Sequence, residues 1–127
     1  MATSRSNEAS ASWTAGVRVF SGRRDPQWEL PPARARRLEA LWRSLELFEG
    51  TPPAPPPLGY RGCFAHEPSA RRWDAYRGAV TLSAASAHEL RYDPSREFER
   101  SILESAPPGV LPDGIFELAE LIADDSS

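Results

Sequence analysis

The sequence predicts a small two-layer α+β domain, in which a mainly antiparallel sheet of three to four strands carries two to three helices on one face. Three observations lead to this prediction. The chain of 127 residues has the size of one domain. Segments with alternating apolar residues are separated by segments of helical period. Their order is β-α-β-β-(β)-α-α, which is typical of an α+β domain, and a half-open barrel around one helix is the alternative.

A single domain is expected over residues 13–123. Residues 1–12 are small and polar and offer nothing to bury, so they are predicted to form a disordered tail. Residues 124–127 are predicted to be a short acidic C-terminal tail.

The first half of the chain predicts a strand, a loop and a long helix. Residues 13–20 alternate between two faces, with Ala15 and Val17 on the same one. Residues 21–30 carry turn-forming Gly and Asp-Pro and are predicted to be a loop. From Pro31 to about Glu49, apolar residues recur at spacings of three and four, which predicts one helix.

The second half predicts the rest of the sheet and two further helices. A proline-rich connector precedes strands predicted at 58–67 and 72–83, which look like an antiparallel hairpin, and a short strand at 88–92. Asp93 and Pro94 predict a helix start, as N-cap and first helical residue. A last short helix is predicted over 113–123.

Composition excludes several classes of function. All 15 basic residues are arginines, so no lysine Schiff base or P-loop lysine is present. The formal net charge of −3 argues against a nucleic-acid partner. There is no apolar run of about 18 residues to span a membrane, and a single cysteine excludes an intramolecular disulfide. The bias towards Ala, Pro, Gly and Arg indicates a GC-rich bacterial genome, and the lack of a secretory signal predicts a cytoplasmic protein.

Few residues combine into a catalytic or metal-binding pattern. Cys63 and His66 lie three apart on a predicted strand, where side chains alternate, so they are expected on opposite faces. His66 and His88 each have an acidic neighbour, but nothing in their spacing requires a metal site. No phosphate-binding glycine loop or nucleophile elbow occurs. The sequence therefore predicts no metal ion and no cofactor.

The loop before the long helix is the most distinctive segment. Its arginines and a tryptophan precede a helix N-terminus, where free N–H groups favour anions, and arginine presents a planar fork to carboxylates. A structural interpretation competes, in which Asp25 caps the Pro26 turn and Trp28 packs on the core. The predicted contact residues, including two aromatic residues of the adjoining sheet, are Arg23, Arg24, Gln27, Trp28, Trp73 and Tyr76.

These observations predict a non-catalytic bacterial accessory protein. It is expected to bind a protein, a peptide or an acidic small molecule, and to contact neither nucleic acid nor membrane. The alternative is a small enzyme with a pocket between sheet and helix, in which His66 or His88 works with Tyr60, Tyr76 or an aspartate. Self-association into a homodimer is a third expectation, because the apolar core is thin.

Overall fold

A computed structural model describes residues 12–19, 24–55, 59–68, 71–85 and 87–119. These residues contain seven strands and three helices. The strands are β1 (Trp13–Val17), β2 (Gln27–Leu30), β3 (Glu46–Leu47), β4 (Cys63–His66), β5 (Arg72–Tyr76), β6 (Ala79–Ala84) and β7 (Ala87–Tyr92). The helices are α1 (Pro32–Ser44), α2 (Glu97–Glu104) and α3 (Ile115–Leu118).

All seven strands form one sheet in the order β2-β1-β4-β5-β6-β7-β3. Every neighbouring pair is antiparallel. This confirms the α+β class and the antiparallel sheet. The expected number of three to four strands is wrong, because the described part of the chain supplies seven.

Three local features account for the additional strands. Gln27–Leu30 lies in the segment predicted to be a loop, and it pairs with β1. The predicted strand over 72–83 is a hairpin, because Arg77 and Gly78 both adopt positive φ and reverse the chain between β5 and β6. Glu46–Leu47 lies in the predicted helix and pairs with β7.

Helix α1 is therefore shorter than predicted: it ends at Ser44 rather than near Glu49. Leu45 has an extended backbone, with φ −82° and ψ 149°. The guanidinium of Arg91 donates to the carbonyl oxygens of Trp42 at 2.9 Å and of Leu45 at 3.3 Å. It also lies 4.6 Å from the centroid of the Trp42 ring. A tertiary contact from β7 thus satisfies carbonyl groups at the helix end and frees the next residues to join the sheet.

Both long helices lie on the same face of the sheet. The ladder places Trp28, Ala15, Ala65 and Trp73 in one row across four strands. The indole of Trp28 donates to Ser105 at the end of α2, at 2.8 Å, and α2 contacts β1, β4 and β5. Alternation directs this row towards the helices, as predicted for β1.

Asp93 caps α2 as predicted, but the helix begins later than predicted. The Asp93 carboxylate accepts the N–H groups of Glu97 at 3.1 Å and of Phe98 at 3.0 Å. The helix begins only at Glu97, because Pro94 lies in a turn and Arg96 has a left-handed backbone with φ 58°. Asp93 therefore caps the helix from four residues upstream.

Two predicted segments lie wholly or largely outside the described residues. They are the N-terminal tail, described only at Ser12, and the acidic tail at 124–127; the last predicted helix is described only as Ile115–Leu118. The proline-rich connector is described over 51–55, where it is exposed and has no regular structure. Within the described ranges, no helix is long and apolar enough to cross a bilayer.

Candidate functional site

A cavity of about 470 Å³ lies at the end of the sheet where β4 begins and the β5–β6 hairpin turns. Two tyrosines and an arginine provide its largest side chains. Its walls are formed by Ala54, Gly59, Tyr60, Tyr76, Arg77, Leu118 and Ala119. This space, called the Tyr60 cavity below, falls in the size range of small-molecule sites.

Gly62 directs Tyr60 into this position. The φ of Gly62 is +107°, and a Cβ there would lie 2.7 Å from the Ala75 carbonyl oxygen, so only glycine fits. The bend is held by backbone bonds from Arg61 N–H to Arg18 O, at 2.7 Å, and from Arg18 N–H to Gly62 O, at 2.8 Å. The chain before β4 leaves the regular strand, and Tyr60 reaches the helix side of the sheet.

The hydroxyl of Tyr60 donates to Oε2 of Glu99, a fully buried residue of α2. Oε1 of the same carboxylate accepts the backbone N–H of Arg77 at 3.0 Å. Burial raises the pKa of Glu99, although the hydrogen bonds from Tyr60 and Arg77 act in the opposite direction. Burial also raises the pKa of Tyr60, so its hydroxyl stays protonated. One buried carboxylate thus fixes both the tyrosine and the hairpin turn.

The β5–β6 hairpin brings Tyr76 and Arg77 to the cavity. The Tyr76 ring centroid lies 6.0 Å from that of Tyr60, with 38° between the ring planes. The guanidinium of Arg77 lies 5.9 Å from the Tyr76 ring centroid. Asp93 donates its backbone N–H to Gly78 O at 2.8 Å, which ties the turn to the segment that leads into α2. The walls of the cavity that the structure describes therefore combine aromatic surface with the guanidinium of Arg77.

The predicted contact residues are not brought together. Arg23 lies outside the described residues. Arg24 is exposed three residues before β2, and Gln27 is exposed at the start of β2. Trp28 and Trp73 are buried on the helix side of the sheet. Of the five predicted contact residues that the structure describes, Tyr76 alone lines the Tyr60 cavity.

Trp28 and Trp73, which the sequence predicts as contact residues, are instead part of the core and are not exposed to a partner. Trp28 is bonded to Ser105, which matches the competing interpretation of a core residue. Trp73 stacks on Trp13, with ring centroids 5.0 Å apart and an interplanar angle of 12°. Asp25 accepts the Val19 N–H at 3.0 Å, so it also stabilises the loop.

The two histidines do not line the cavity, whereas the thiol of Cys63 lies beside the Tyr60–Glu99 pair, with Sγ 3.7 Å from the backbone oxygen of Glu99. His66 and His88 are exposed and lie in one cross-strand row, three strands apart, which is roughly 14 Å at the usual strand spacing. Cys63 is buried, and burial raises the pKa of its thiol. Among the described residues, no group of three or more His, Cys, Asp or Glu side chains could hold a metal ion.

The face of the sheet opposite the helices carries one charged cluster. Arg18 and Arg72 lie over the Phe64 ring, at 5.1 and 4.8 Å from its centroid. Both pair with Asp74, at 2.8 and 3.3 Å. The cluster covers an otherwise exposed aromatic ring, so we assign it to stability rather than to ligand binding.

Two important residues of the cavity were missed in the sequence. Glu99 lies four residues before Leu103, so helical periodicity places it on the buried face of α2. A carboxylate on an apolar face is a signal of a buried polar contact. Arg77 lies in a segment that otherwise alternates like one strand. The glycine that follows it, Gly78, is the one sign in the sequence that the chain turns there.

Comparison with known proteins assigns no family to this fold and cavity. Searches against protein-family models, curated proteins and solved structures found no match to the chain. The geometry of the described residues is therefore what points to a function.

Proposed function

We propose that the protein is a non-catalytic binding protein that takes up a small organic anion with an aromatic body. The site is the Tyr60 cavity. The observation that carries this proposal is the pairing of two tyrosine rings with the Arg77 guanidinium around a space of about 470 Å³.

The chemistry of the walls suits such a ligand. Tyr76 is half-buried and offers aromatic surface for contact with an aromatic body, and the buried Tyr60 forms part of the wall behind it. Arg77 supplies positive charge and a planar donor fork, which suits a carboxylate or a phosphate. Leu118 is 57% exposed and adds apolar surface at the rim. An acidic small molecule is one of the ligand classes that the sequence predicts.

The buried pair of Tyr60 and Glu99 supports binding better than catalysis. The Tyr60 O–H is directed at Glu99, and the carboxylate of Glu99 is fully buried and is not among the walls of the cavity. A general base needs a free lone pair within reach of the substrate proton. The pair instead holds Tyr60 and the hairpin turn in place before a ligand arrives, which lowers the entropic cost of binding.

The experiment is a chemical-shift titration with two probes of similar shape and opposite charge, benzoate and benzylammonium. Benzoate is expected to shift the amide signals of Tyr60, Tyr76 and Arg77, and benzylammonium is expected to leave them in place. Arg77→Asn removes the charge and keeps a residue that tolerates a left-handed backbone. It should weaken benzoate binding about tenfold, which corresponds to roughly 1.4 kcal/mol.

Arg24→Gln is the matched control, because it removes one positive charge from the exposed predicted loop. It should leave the benzoate affinity unchanged. If Arg24→Gln weakens binding and Arg77→Asn does not, the anion site lies in the loop before α1 and the assignment to the cavity is wrong. Equal binding of both probes would contradict an anion site altogether.

A further inference from the structure

The other end of the sheet exposes an apolar patch that the ligand cavity does not involve. Leu47 on β3 is 65% exposed and Tyr92 on β7 is 48% exposed. The Phe48 ring meets the Tyr92 ring edge to face, with centroids 5.5 Å apart. Exposed apolar residues that lie together, rather than scattered singly, are typical of interaction sites. We call the surface of Glu46, Leu47, Phe48, Glu49 and Tyr92 the β3 edge patch.

The patch is concave on both sides of Tyr92. A cavity of about 480 Å³ is lined by the five residues of the β3 edge patch. A second cavity, of about 370 Å³, lies between α1 and the start of α2 and shares Glu46 and Tyr92. A partner could therefore seat side chains on each side of one tyrosine ring.

The backbone next to the patch is only partly paired. β3 is two residues long and meets β7 at Tyr92 and Arg91, and the Phe48 N–H adds one bond to Leu90 O at 3.0 Å. The outer side of β7 at residues 87–89 has no neighbouring strand within the described chain. An extended segment can add to such an edge through main-chain hydrogen bonds.

The exposed charges of the patch itself are negative. Glu46 and Glu49 are exposed and line the first cavity. At the second cavity, Asp93 is buried and caps α2, and Glu97 is in an ion pair with α1, so Glu46 carries the charge offered to a partner there. The nearby Arg91 is turned to the helix side, where it contacts Glu89 and the end of α1. A basic partner is therefore complementary to this edge.

We propose that the β3 edge patch binds an extended basic segment of a partner protein. Arginine or lysine side chains of the segment contact Glu46 and Glu49, and an apolar side chain packs against Leu47, Phe48 and Tyr92. The inference is independent of the proposed anion site, which lies at a different part of the sheet.

A second copy of the chain is a poorer occupant. Pairing of two β3 edges about a two-fold axis would bring the glutamates of one patch close to those of the other, because a symmetric interface uses the same surface twice. Like charges in such an interface oppose association. The acidic rim likewise repels a nucleic-acid backbone.

The test uses the full chain and a labelled hexapeptide that alternates arginine with leucine, followed by fluorescence anisotropy. A hexapeptide that alternates glutamate with leucine is the control probe. The basic peptide should bind, its affinity should fall as salt is added, and the acidic peptide should not bind. The double variant Glu46→Arg/Glu49→Arg should lose basic-peptide affinity by at least about tenfold and gain affinity for the acidic peptide.

The matched control is Glu29→Arg/Glu104→Arg, which makes the same charge change at two exposed positions on β2 and at the end of α2. It should bind the basic peptide within about twofold of the unaltered chain. Leu47→Ser should weaken binding of the basic peptide without changing the charge of the protein.

Three results would overturn the proposal. The first is no binding of the basic peptide up to 1 mM, and the second is an equal loss of affinity in the control variant. The third is a concentration-dependent dimer in sedimentation velocity that Leu47→Ser abolishes, because it would assign the patch to a second copy of the chain.

Discussion

The two halves of the sheet differ in how much the helices cover them. In the covered half, formed by β2, β1, β4 and β5, every strand has at least two buried residues, and α2 contacts three of the four strands. In the overhanging half, formed by β6, β7 and β3, burial declines along β6 and no residue of β7 or β3 is buried. The sheet thus extends past the helices that stabilise it.

The two proposals give the two halves separate tasks, in keeping with this difference. The covered half meets α2 at the Tyr60 cavity, where the buried Glu99 can fix side chains before a ligand arrives. The overhanging half leaves Leu47 and Tyr92 in solvent, which costs little stability and provides a surface for a partner. Stability and binding are therefore expected to respond to different substitutions.

The largest expected contrast is between a core residue of α2 and an exposed residue of β3. Phe98 is fully buried under the covered half, so Phe98→Ala should lower the free energy of unfolding by about 3–5 kcal/mol. Leu47→Ala should change it by less than about 0.5 kcal/mol. Urea unfolding of both variants measures the difference.

If Phe98→Ala does not fold, Phe98→Leu can be measured in its place. Its free energy of unfolding is expected to fall by less than about 1.5 kcal/mol. A loss in Leu47→Ala as large as that in Phe98→Leu would show that the overhanging half is part of the stabilising core. The comparison between the two halves would then fail.

An intermediate effect is expected at the buried carboxylate. Glu99→Gln replaces one acceptor oxygen with an amide that cannot accept from both Tyr60 and Arg77, so one buried group loses its partner. The expected loss is about 1–3 kcal/mol near pH 5. Thermal unfolding as a function of pH measures it.

The pH dependence has a defined sign. Burial raises the pKa values of Glu99 and Asp93 in the folded protein. The folded state therefore holds these protons more tightly than the unfolded state, in which carboxyl pKa values are about 4. Stability should be greatest below that value and should fall as pH rises through the folded-state pKa. Glu99→Gln should flatten this decline, and an unchanged slope would contradict the role of Glu99.

A smaller loss than that of Glu99→Gln is expected where the two halves are joined. Arg91→Met keeps an apolar stem but removes the donors to the carbonyl groups of Trp42 and Leu45. We expect a loss of about 1–2 kcal/mol and faster amide exchange in β7, but not in β4. Exchange that accelerates equally in both strands would show that Arg91 does not act locally.

The sequence predicts the parts of the fold that depend on local pattern. The structure confirms a strand at β1 and a helix that begins near Pro31. It also confirms that Asp93 caps the following helix. The end of α1 could not be predicted, because it depends on Arg91, 46 residues later than Leu45. β2 has four residues between turn-forming segments, and only its pairing with β1 identifies it as a strand.

The candidate site was harder to predict for a related reason. Trp28 and Tyr76 are both aromatic residues beside arginines, yet one is buried against Ser105 and the other lines the cavity. Which face each ring occupies follows from strand register, and register follows from pairing. Regular alternation along the predicted strand over 58–67 would place Tyr60 on the face of Phe64, but the left-handed backbone of Gly62 turns it to the other side.

The most direct test of two separate surfaces is a pair of chemical-shift titrations on one labelled sample. Benzoate should shift the amides of Tyr60, Tyr76 and Arg77, and the arginine–leucine hexapeptide should shift those of Leu47, Phe48 and Tyr92. The affinity for each probe should be unchanged by saturation with the other. Overlapping sets of shifted amides, or displacement of one probe by the other, would contradict the division of the sheet into a ligand-binding half and a partner-binding half.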